Sequence, residues 1–348
     1  MANPRDPLAD LRRIAFLLER AHEATYRVRA FRGAAAKLAK LPDGELEARV
    51  KAGTLRELPG VGDVTARCVA ESLAGEEPVY LRRLEATAGQ DLDEATAALL
   101  NALKGDCHAH SDWSDGGSPI DEMAMAAAQI GHEYLVLTDH SPRLTVARGL
   151  SAERLEEQLA VVAEINAGFE GIGMSFRILT GIEVDILADG SLDQTDELLG
   201  RLDVVVGSVH SNLKDEPDVM TRRMVTALAN PHLDILGHCT GRLITGGRGT
   251  RPESRFDAEQ VFRAAVEHDK AIEINSRPER LDPPKRLLRV ALEAGCRFSI
   301  DTDAHAPGQL DWLSNGCSRA VACGVPADRI VNTMGGKDLV AWAASHGQ

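Results

Sequence analysis

Histidine and carboxylate residues recur in this sequence directly after short apolar segments, at spacings that suit metal binding. His108 and His110 form a His-x-His pair, and Asp303 and His305 repeat that spacing near the other end of the chain. Because side chains alternate along an extended strand, each pair lies on one face and can reach one site. Single candidates stand at the ends of other apolar segments: His140, Glu183, His210 and His238. Imidazole and carboxylate together suit Zn²⁺, Mn²⁺ or Fe, so the sequence predicts a metal site.

Seven short apolar segments are predicted to be the strands that position these residues. They cover residues 106–109, 134–137, 178–184, 204–209, 233–237, 271–274 and 298–300. Helices are predicted between them over residues 119–130, 152–167, 194–202, 219–229, 257–268 and 284–294. Seven consecutive βα units predict a parallel sheet with helical cover, and they favour a barrel over an open sheet.

The carboxyl ends of the strands of such a barrel meet at one mouth, which is where catalytic residues lie. Six of the eleven histidines fall at this predicted mouth. A single histidine at a strand end is usually an ordinary core or surface residue. Six of them together with carboxylates favour a metal centre over that explanation.

Four motifs carry a family resemblance: His108-Ala109-His110, Thr138-Asp139-His140, the single His210, and Asp303-Ala304-His305. They resemble the motifs of the PHP (polymerase and histidinol phosphatase) superfamily. A narrower resemblance, to the PHP domain of bacterial family X DNA polymerases, is carried by residues 207–211, 237–243 and 273–282. The resemblance implies a seven-stranded, distorted TIM-like (β/α)7 barrel with two to three divalent ions of Zn, Mn or Fe. The implied ligands are His108, His110, Asp115, His140, Glu183, His210, His238, Asp303 and His305.

The expected chemistry is hydrolysis of a phosphate ester, with a metal-bridging hydroxide attacking phosphorus. Three arginines are candidates for binding the phosphate, because a guanidinium meets phosphate oxygens in a bidentate manner: Arg148, Arg242 and Arg277. Three aspartates lie beside the implied ligands and are expected to orient them: Asp139, Asp185 and Asp301. Surface or structural ion pairing is the alternative role for each arginine.

Residues 1–103 are predicted to form a separate all-α domain, followed by the barrel over residues 104–348. Helices are expected over residues 6–21 and 26–41, and a Leu-Pro-Gly-Val-Gly turn follows at residues 58–62. The turn resembles a helix-hairpin-helix motif, in which backbone amides at a helix N-terminus bind DNA phosphates. The residues expected to do so are Gly60, Val61, Gly62, Thr65 and Arg67.

The segment from Leu8 to about Leu84 resembles the small N-terminal domain of family X DNA polymerases. Repair members of that family use a lysine of the second hairpin helix for lyase chemistry. The corresponding position here is Cys68, with Val64 as the neighbouring candidate, so the resemblance favours DNA docking without lyase activity. The predicted all-α domain ends at residue 103 and the first predicted barrel strand begins at Asp106, which leaves no room for a polymerase palm.

Composition limits the possible functions. The net charge is −14, from 53 acidic and 39 basic residues, and aromatic residues make up only 4%. Residues 1–104 hold 16 bases and 16 acids, so the excess acid belongs to the barrel and does not argue against DNA contact by the first domain. Scattered cysteines, no signal sequence and no apolar run long enough for a membrane span predict a cytoplasmic protein.

Three functions remain open at this point. The first is a phosphoesterase acting on DNA ends, as a 3′-5′ exonuclease, a 3′-phosphatase or an abasic-site nuclease, which the hairpin domain favours. The second is a phosphatase for a small ester such as histidinol phosphate. The third is a non-catalytic DNA-binding scaffold, which the complete ligand set argues against.

Overall fold

The computed structural model describes residues 5–89, 91–246 and 249–347, and the chain divides into two compact units, residues 1–91 and 92–348. The first unit is helical, as predicted. Its helices are α1 (Pro7–Arg20), α2 (Thr25–Leu38), α3 (Glu45–Ala52), α4 (Asp63–Leu73) and α5 (Val79–Thr87). The side chain of Asp6 caps α1 by accepting a hydrogen bond from the Leu8 amide at 2.8 Å. The inner face of α1 is apolar, and Leu11, Ile14 and Leu18 are fully buried.

The second unit is built around seven parallel strands that follow one another around the sheet in chain order. The strands are β1 (Gly105–Ala109), β2 (Tyr134–Leu137), β3 (Arg177–Asp185), β4 (Val204–Ser208), β5 (Ile235–Leu236), β6 (Ala271–Asn275) and β7 (Arg297–Asp301). The order confirms the predicted seven-stranded barrel with helical cover. Most strands are rich in apolar residues and nearly all strand positions are buried, as expected when helices cover a parallel sheet.

Helices cover the strands. They are α6 (Glu94–Ala102), α7 (Ile120–Gln129), α8 (Ala152–Gly171), α9 (Asp196–Leu199), α10 (Pro217–Leu228), α11 (Ala258–Glu267), α12 (Lys285–Ala294), α13 (Leu313–Cys323) and α14 (Gly336–Ala344). α6 belongs to the barrel unit, because Leu99 packs into the same apolar cluster as the residues of α13. The compact units therefore divide before α6, whereas residue 103 is the boundary that we proposed from the sequence.

The barrel closes between β1 and β7 mainly through side chains. Asn332, which is fully buried, accepts a hydrogen bond from the Ile300 amide at 3.1 Å and donates to the carbonyls of Gly105 at 3.0 Å and Ile300 at 2.6 Å. Nearer the mouth, the Cys107 amide donates to Asp301 Oδ1 at 2.8 Å. A single parallel bridge joins Ala109 to Ala304. These contacts hold the strand that carries His108 beside the strand that precedes Asp303.

Candidate metal centre

Glu183 lies at the centre of the barrel mouth, where five imidazoles surround it. It stands near the end of β3, 1% exposed, and its carboxylate is the shared neighbour of rings from four other strand ends. The nitrogen-to-oxygen distances to Glu183 are 3.4 Å for His108, 3.6 Å for His110, 2.8 Å for His140, 3.2 Å for His210 and 2.9 Å for His238. The sequence placed these residues at one mouth, and the structure brings them into contact.

Asp115 joins a second part of the same cluster from the loop after β1. Its Oδ1 lies 3.3 Å from Nε2 of His140 and 3.3 Å from Nε2 of His305. The rings of His140 and His305 both adjoin His110, with centroids 4.4 Å and 4.3 Å from it. The side chain of Asp115 is 32% exposed, more than that of any other of the nine predicted ligands, so this part of the site faces the solvent.

Asp303 completes the set from the segment after β7. Its Oδ1 lies 3.4 Å from Nε2 of His110, while its Oδ2 accepts a hydrogen bond from Nε of Arg280 at 2.9 Å. Arg277 approaches from the same side, with Nη1 3.2 Å from Nδ1 of His305. Two guanidinium groups thus border the cluster next to one of its carboxylates.

Burial and charge together set the protonation of these groups. Burial, with the neighbouring His305 and His140, lowers the pKa of His110 to about 3, which keeps its ring neutral. Burial alone would raise the pKa of Glu183, but the positive charges of His210, His108 and His140 outweigh it and hold that pKa well below its usual value. Glu183 is thus ionised and His110 neutral, the forms that bind a metal ion, whereas His108, His140 and His210 would release protons on metal binding.

The donor atoms fit a group of bound cations. Three sets of side chains each offer ligand atoms within 4.8 Å of one another: His110, Asp115, His140 and His305; His108, His110 and Glu183; and His140, Glu183 and His210. Among the described residues, both ring nitrogens of His110 and of His210 are buried without a hydrogen-bond partner. Buried polar atoms without partners are costly, and metal ions would satisfy these. The cluster can therefore hold divalent metal ions.

The three aspartates that we expected to orient ligands have different roles in the structure. Asp185 does contact a predicted ligand, since its Oδ1 accepts a hydrogen bond from the His210 amide at 3.1 Å. Asp139 instead accepts hydrogen bonds from the Ser111 hydroxyl at 2.6 Å and from Gln158 at 2.7 Å, which holds the loop leading to Asp115. Asp301 accepts from the Cys107 amide and belongs to the β1–β7 closure.

Only one of the three predicted phosphate-binding arginines, Arg277, contacts the cluster. The Arg242 guanidinium donates to the carbonyls of Arg280, at 3.0 Å, and of Leu281, so it supports the loop that carries Arg280. Arg148 is exposed and donates to the Asp112 carbonyl at 3.1 Å, on the loop that precedes Asp115. Local sequence could not reveal this difference, because each guanidinium is directed by carbonyls distant in the chain.

The sequence reasoning missed two charged residues of the site, Arg280 and Glu273. Glu273 is fully buried in β6, and its Oε1 lies 2.6 Å from Nδ1 of His108. A signal was present, since Glu273 stands between Ile272 and Ile274 in an apolar strand. A charged residue at such a position is rarely buried without a partner.

The hairpin of the first unit uses several of its predicted phosphate-binding groups internally. The Val61 amide donates to the Leu58 carbonyl at 3.1 Å, and the Gly62 amide donates to the Thr65 hydroxyl at 2.9 Å. Gly60 has φ +88°, a backbone conformation that favours glycine, and Arg67 is exposed. The amides of the first turn of α4, which begins at Asp63, have no carbonyl partner within that helix.

Comparisons with known proteins agree with this architecture. Residues 106–277 match the family model of the PHP domain, and residues 2–77 match that of a helix-hairpin-helix domain. This chain is a PHP-domain protein. The PHP match begins in β1 and ends at Arg277, so it spans most of the strand ends that form the cluster.

Named relatives of this PHP-domain protein are of two kinds. The DNA polymerase/3′-5′ exonuclease PolX of Bacillus subtilis (strain 168) is 40% identical over 258 residues, which are 73% of this chain and 44% of that polymerase. A probable phosphatase of Thermoanaerobacter sp. (strain X514) is 29% identical over 243 residues, 67% of this chain and 91% of the phosphatase. Among solved structures, the chain is similar to the histidinol phosphate phosphatase of Lactococcus lactis, which was crystallised with zinc, L-histidinol and phosphate. The TM-score is 0.44 and the sequence identity 19%, and the match covers 63% of this chain and 92% of the phosphatase chain.

Within the part of the chain that the structure describes, no helix combines the length and apolar character needed to cross a bilayer. The six cysteines are free and buried, including Cys107 and Cys239 beside the cluster histidines. Neither of these two thiols belongs to the sets of mutually close metal-binding atoms found among the described residues.

Proposed function

We propose that this PHP-domain protein is a metal-dependent phosphoesterase that acts on DNA ends. The observation that carries the proposal is the Glu183 cluster, in which five imidazoles lie within 3.6 Å of one buried carboxylate. The nine predicted ligands would hold the ions. When bound, divalent ions supply a strong nucleophile at neutral pH and neutralise charge on the phosphoryl oxygens.

Two guanidinium groups of the chain support a phosphate ester as the substrate. Arg280 and Arg277 flank Asp303, and a guanidinium binds phosphate oxygens in a planar, bidentate manner. The Nη1 atom of Arg280 is buried and has no hydrogen-bond partner among the described residues, so it retains a donor for a bound anion. We propose that these two arginines orient the ester, whereas Arg148 and Arg242 support the surrounding loops.

The helical unit supports DNA as the substrate class. A surface groove of about 450 Å³ lies beside the start of α4, and Arg56, Asp63 and Arg67 are among the residues that line it. Arg67 is exposed, and helix N-termini attract phosphate. We propose that this groove and the first-turn amides of α4 contact the DNA backbone without reading its sequence.

A direct assay separates this function from its alternative. Metal-stripped protein would be loaded with Mn²⁺ or Zn²⁺ and given oligonucleotides with 3′-hydroxyl or 3′-phosphate ends, abasic-site DNA, histidinol phosphate and p-nitrophenyl phosphate. We expect faster turnover of DNA than of either small ester, and loss of both activities in Glu183→Gln. The relatives named as probable phosphatases favour the alternative, a small-molecule phosphatase, and fast turnover of the small esters with intact oligonucleotides would establish it.

The docking role of the groove has its own test. Arg67→Ala should weaken DNA binding equally for all DNA sequences. The slope of log K against log salt concentration should become shallower by about one, as expected for the loss of one phosphate contact. Arg83→Ala is the matched control, because Arg83 is an exposed arginine of α5 that does not line the groove. Equal DNA affinity and equal salt slope in the two variants would refute docking at this groove.

A further inference from the structure

We infer that Glu273 is a positioning residue that presents Nε2 of His108 to the metal ions. The inference rests on the proposed metal centre and adds a residue to it. Six of the seven strands lead into at least one predicted ligand, and β6 is the exception. The charged residue that β6 directs to the cluster is Glu273, which is 0% exposed.

The contacts of Glu273 show how it would act. Oε1 lies 2.6 Å from Nδ1 of His108, while Oε2 accepts hydrogen bonds from the His238 backbone amide and from Asn275 Nδ2, the latter at 3.2 Å. An ionised carboxylate can only accept, so Nδ1 of His108 carries a proton, and Nε2 is the ring nitrogen left to bind a metal ion. Nε2 is the atom that lies 3.4 Å from Glu183, inside the cluster.

Glu273 also aligns two strand ends. His108 belongs to β1 and His238 follows β5, and one carboxylate binds the ring of the first and the backbone of the second. Glu273 is not in the sets of mutually close metal-binding atoms among the described residues, which distinguishes it from the predicted ligands. Carboxylates that orient a ligating histidine in this way typically change metal affinity 10- to 100-fold when replaced.

Glutamine at position 273 should move the ring proton of His108 from Nδ1 to Nε2. The His238 amide is a fixed donor, so the Gln oxygen would face it and the Gln amino group would face Nδ1 of His108. That arrangement favours the Nε2–H form of His108, which cannot bind a metal ion. We therefore expect Glu273→Gln to weaken the binding of one ion by about 10- to 100-fold.

A chemically matched control exists at the other end of the barrel. Asp234 is 4% exposed, accepts a hydrogen bond from the Val205 amide at 2.8 Å and lies 2.7 Å from Nδ1 of His346. It therefore has the same two kinds of partner as Glu273, away from the metal cluster. Asp234→Asn should lower the stability of the fold and leave metal affinity within about twofold of the wild type.

The experiment titrates metal-stripped full-length protein with Zn²⁺ and with Co²⁺, following bound metal and the visible Co²⁺ spectrum. Weaker binding and an altered spectrum in Glu273→Gln, but not in Asp234→Asn, support the inference. Wild-type affinity in Glu273→Gln, or an equal loss in both variants, overturns it. A wild-type protein that binds no ion would instead overturn the proposed metal centre, so the two failures are distinguishable.

A second measurement needs no folded variant. Nitrogen-15 spectra of the histidine rings in the Zn²⁺-loaded wild type distinguish a protonated Nδ1 from a protonated Nε2, and the signal of His108 is assigned through its bonds to its own backbone amide. We expect His108 to carry its proton on Nδ1. An Nε2–H ring at His108 overturns the inference whatever the variants do.

Discussion

Replacing Asn332 by alanine is expected to loosen the barrel between β1 and β7. The substitution removes the partners of three buried backbone groups: the amide and carbonyl of Ile300 and the carbonyl of Gly105. A buried group left without a hydrogen bond costs about 1–3 kcal/mol, so three of them amount to roughly 3–6 kcal/mol after partial relaxation. A loss of that size is a large fraction of the total stability of a typical domain, which is about 5–15 kcal/mol.

The assay is urea unfolding followed by tryptophan fluorescence. All three tryptophans, Trp113, Trp312 and Trp342, lie in the barrel unit, so the signal reports this unit alone. Asn166→Ala is the control, because Asn166 likewise binds the amide and the carbonyl of one strand residue, Ile178, both at 2.9 Å. We expect both variants to lose stability and only Asn332→Ala to weaken metal binding.

The physical reason for the difference is position. Asn332 joins β1, which carries His108 and leads into His110, to β7, which precedes Asp303 and His305. Asn166 instead supports the beginning of β3. A loss below about 1 kcal/mol in Asn332→Ala would refute the account of the barrel closure. Metal affinity equal to that of Asn166→Ala would refute its connection to the metal centre.

Three further predictions concern other parts of the barrel. Lys270 is 2% exposed, and burial lowers its pKa to about 8, so Lys270→Met should raise the free energy of unfolding by roughly 1–3 kcal/mol below pH 8. This gain should shrink between pH 8 and about 10.5, because the folded wild type then no longer buries a charged lysine. A gain that is constant with pH in urea unfolding would contradict this prediction. A Cβ on Gly149 would lie 1.8 Å from the Ser141 carbonyl oxygen, so Gly149→Ala should lower stability by roughly 2–4 kcal/mol, and an unchanged melting temperature would show that the loop adapts. Asp115→Asn should reduce the number of bound ions, measured by atomic emission. It should change the stability of the metal-free protein by no more than about 1 kcal/mol, because the side chain is partly exposed and solvent weakens its contacts with His140 and His305.

The sequence was sufficient for the architecture and for the set of candidate ligands. Strand positions were readable because parallel strands buried on both faces are nearly continuous apolar segments. The His-x-His spacing and the common mouth of a parallel barrel then brought the candidate ligands together without any knowledge of distances. The resemblance supplied Asp115, which stands in a loop where no periodicity indicates a role.

Tertiary structure alone decided which charged side chains contact the cluster and which support the loops around it. Glu273 and His108 are 165 residues apart, and Asn332 and Gly105 are 227 residues apart, so no local pattern connects either pair. Arg242 and Arg277 are equally plausible phosphate-binding residues in the sequence. In the structure, the Arg242 guanidinium donates hydrogen bonds to the carbonyls of residues 280 and 281, whereas the Arg277 guanidinium contacts His305. Local sequence determines backbone conformation and burial, whereas the direction of a long charged side chain depends on partners that only folding brings near.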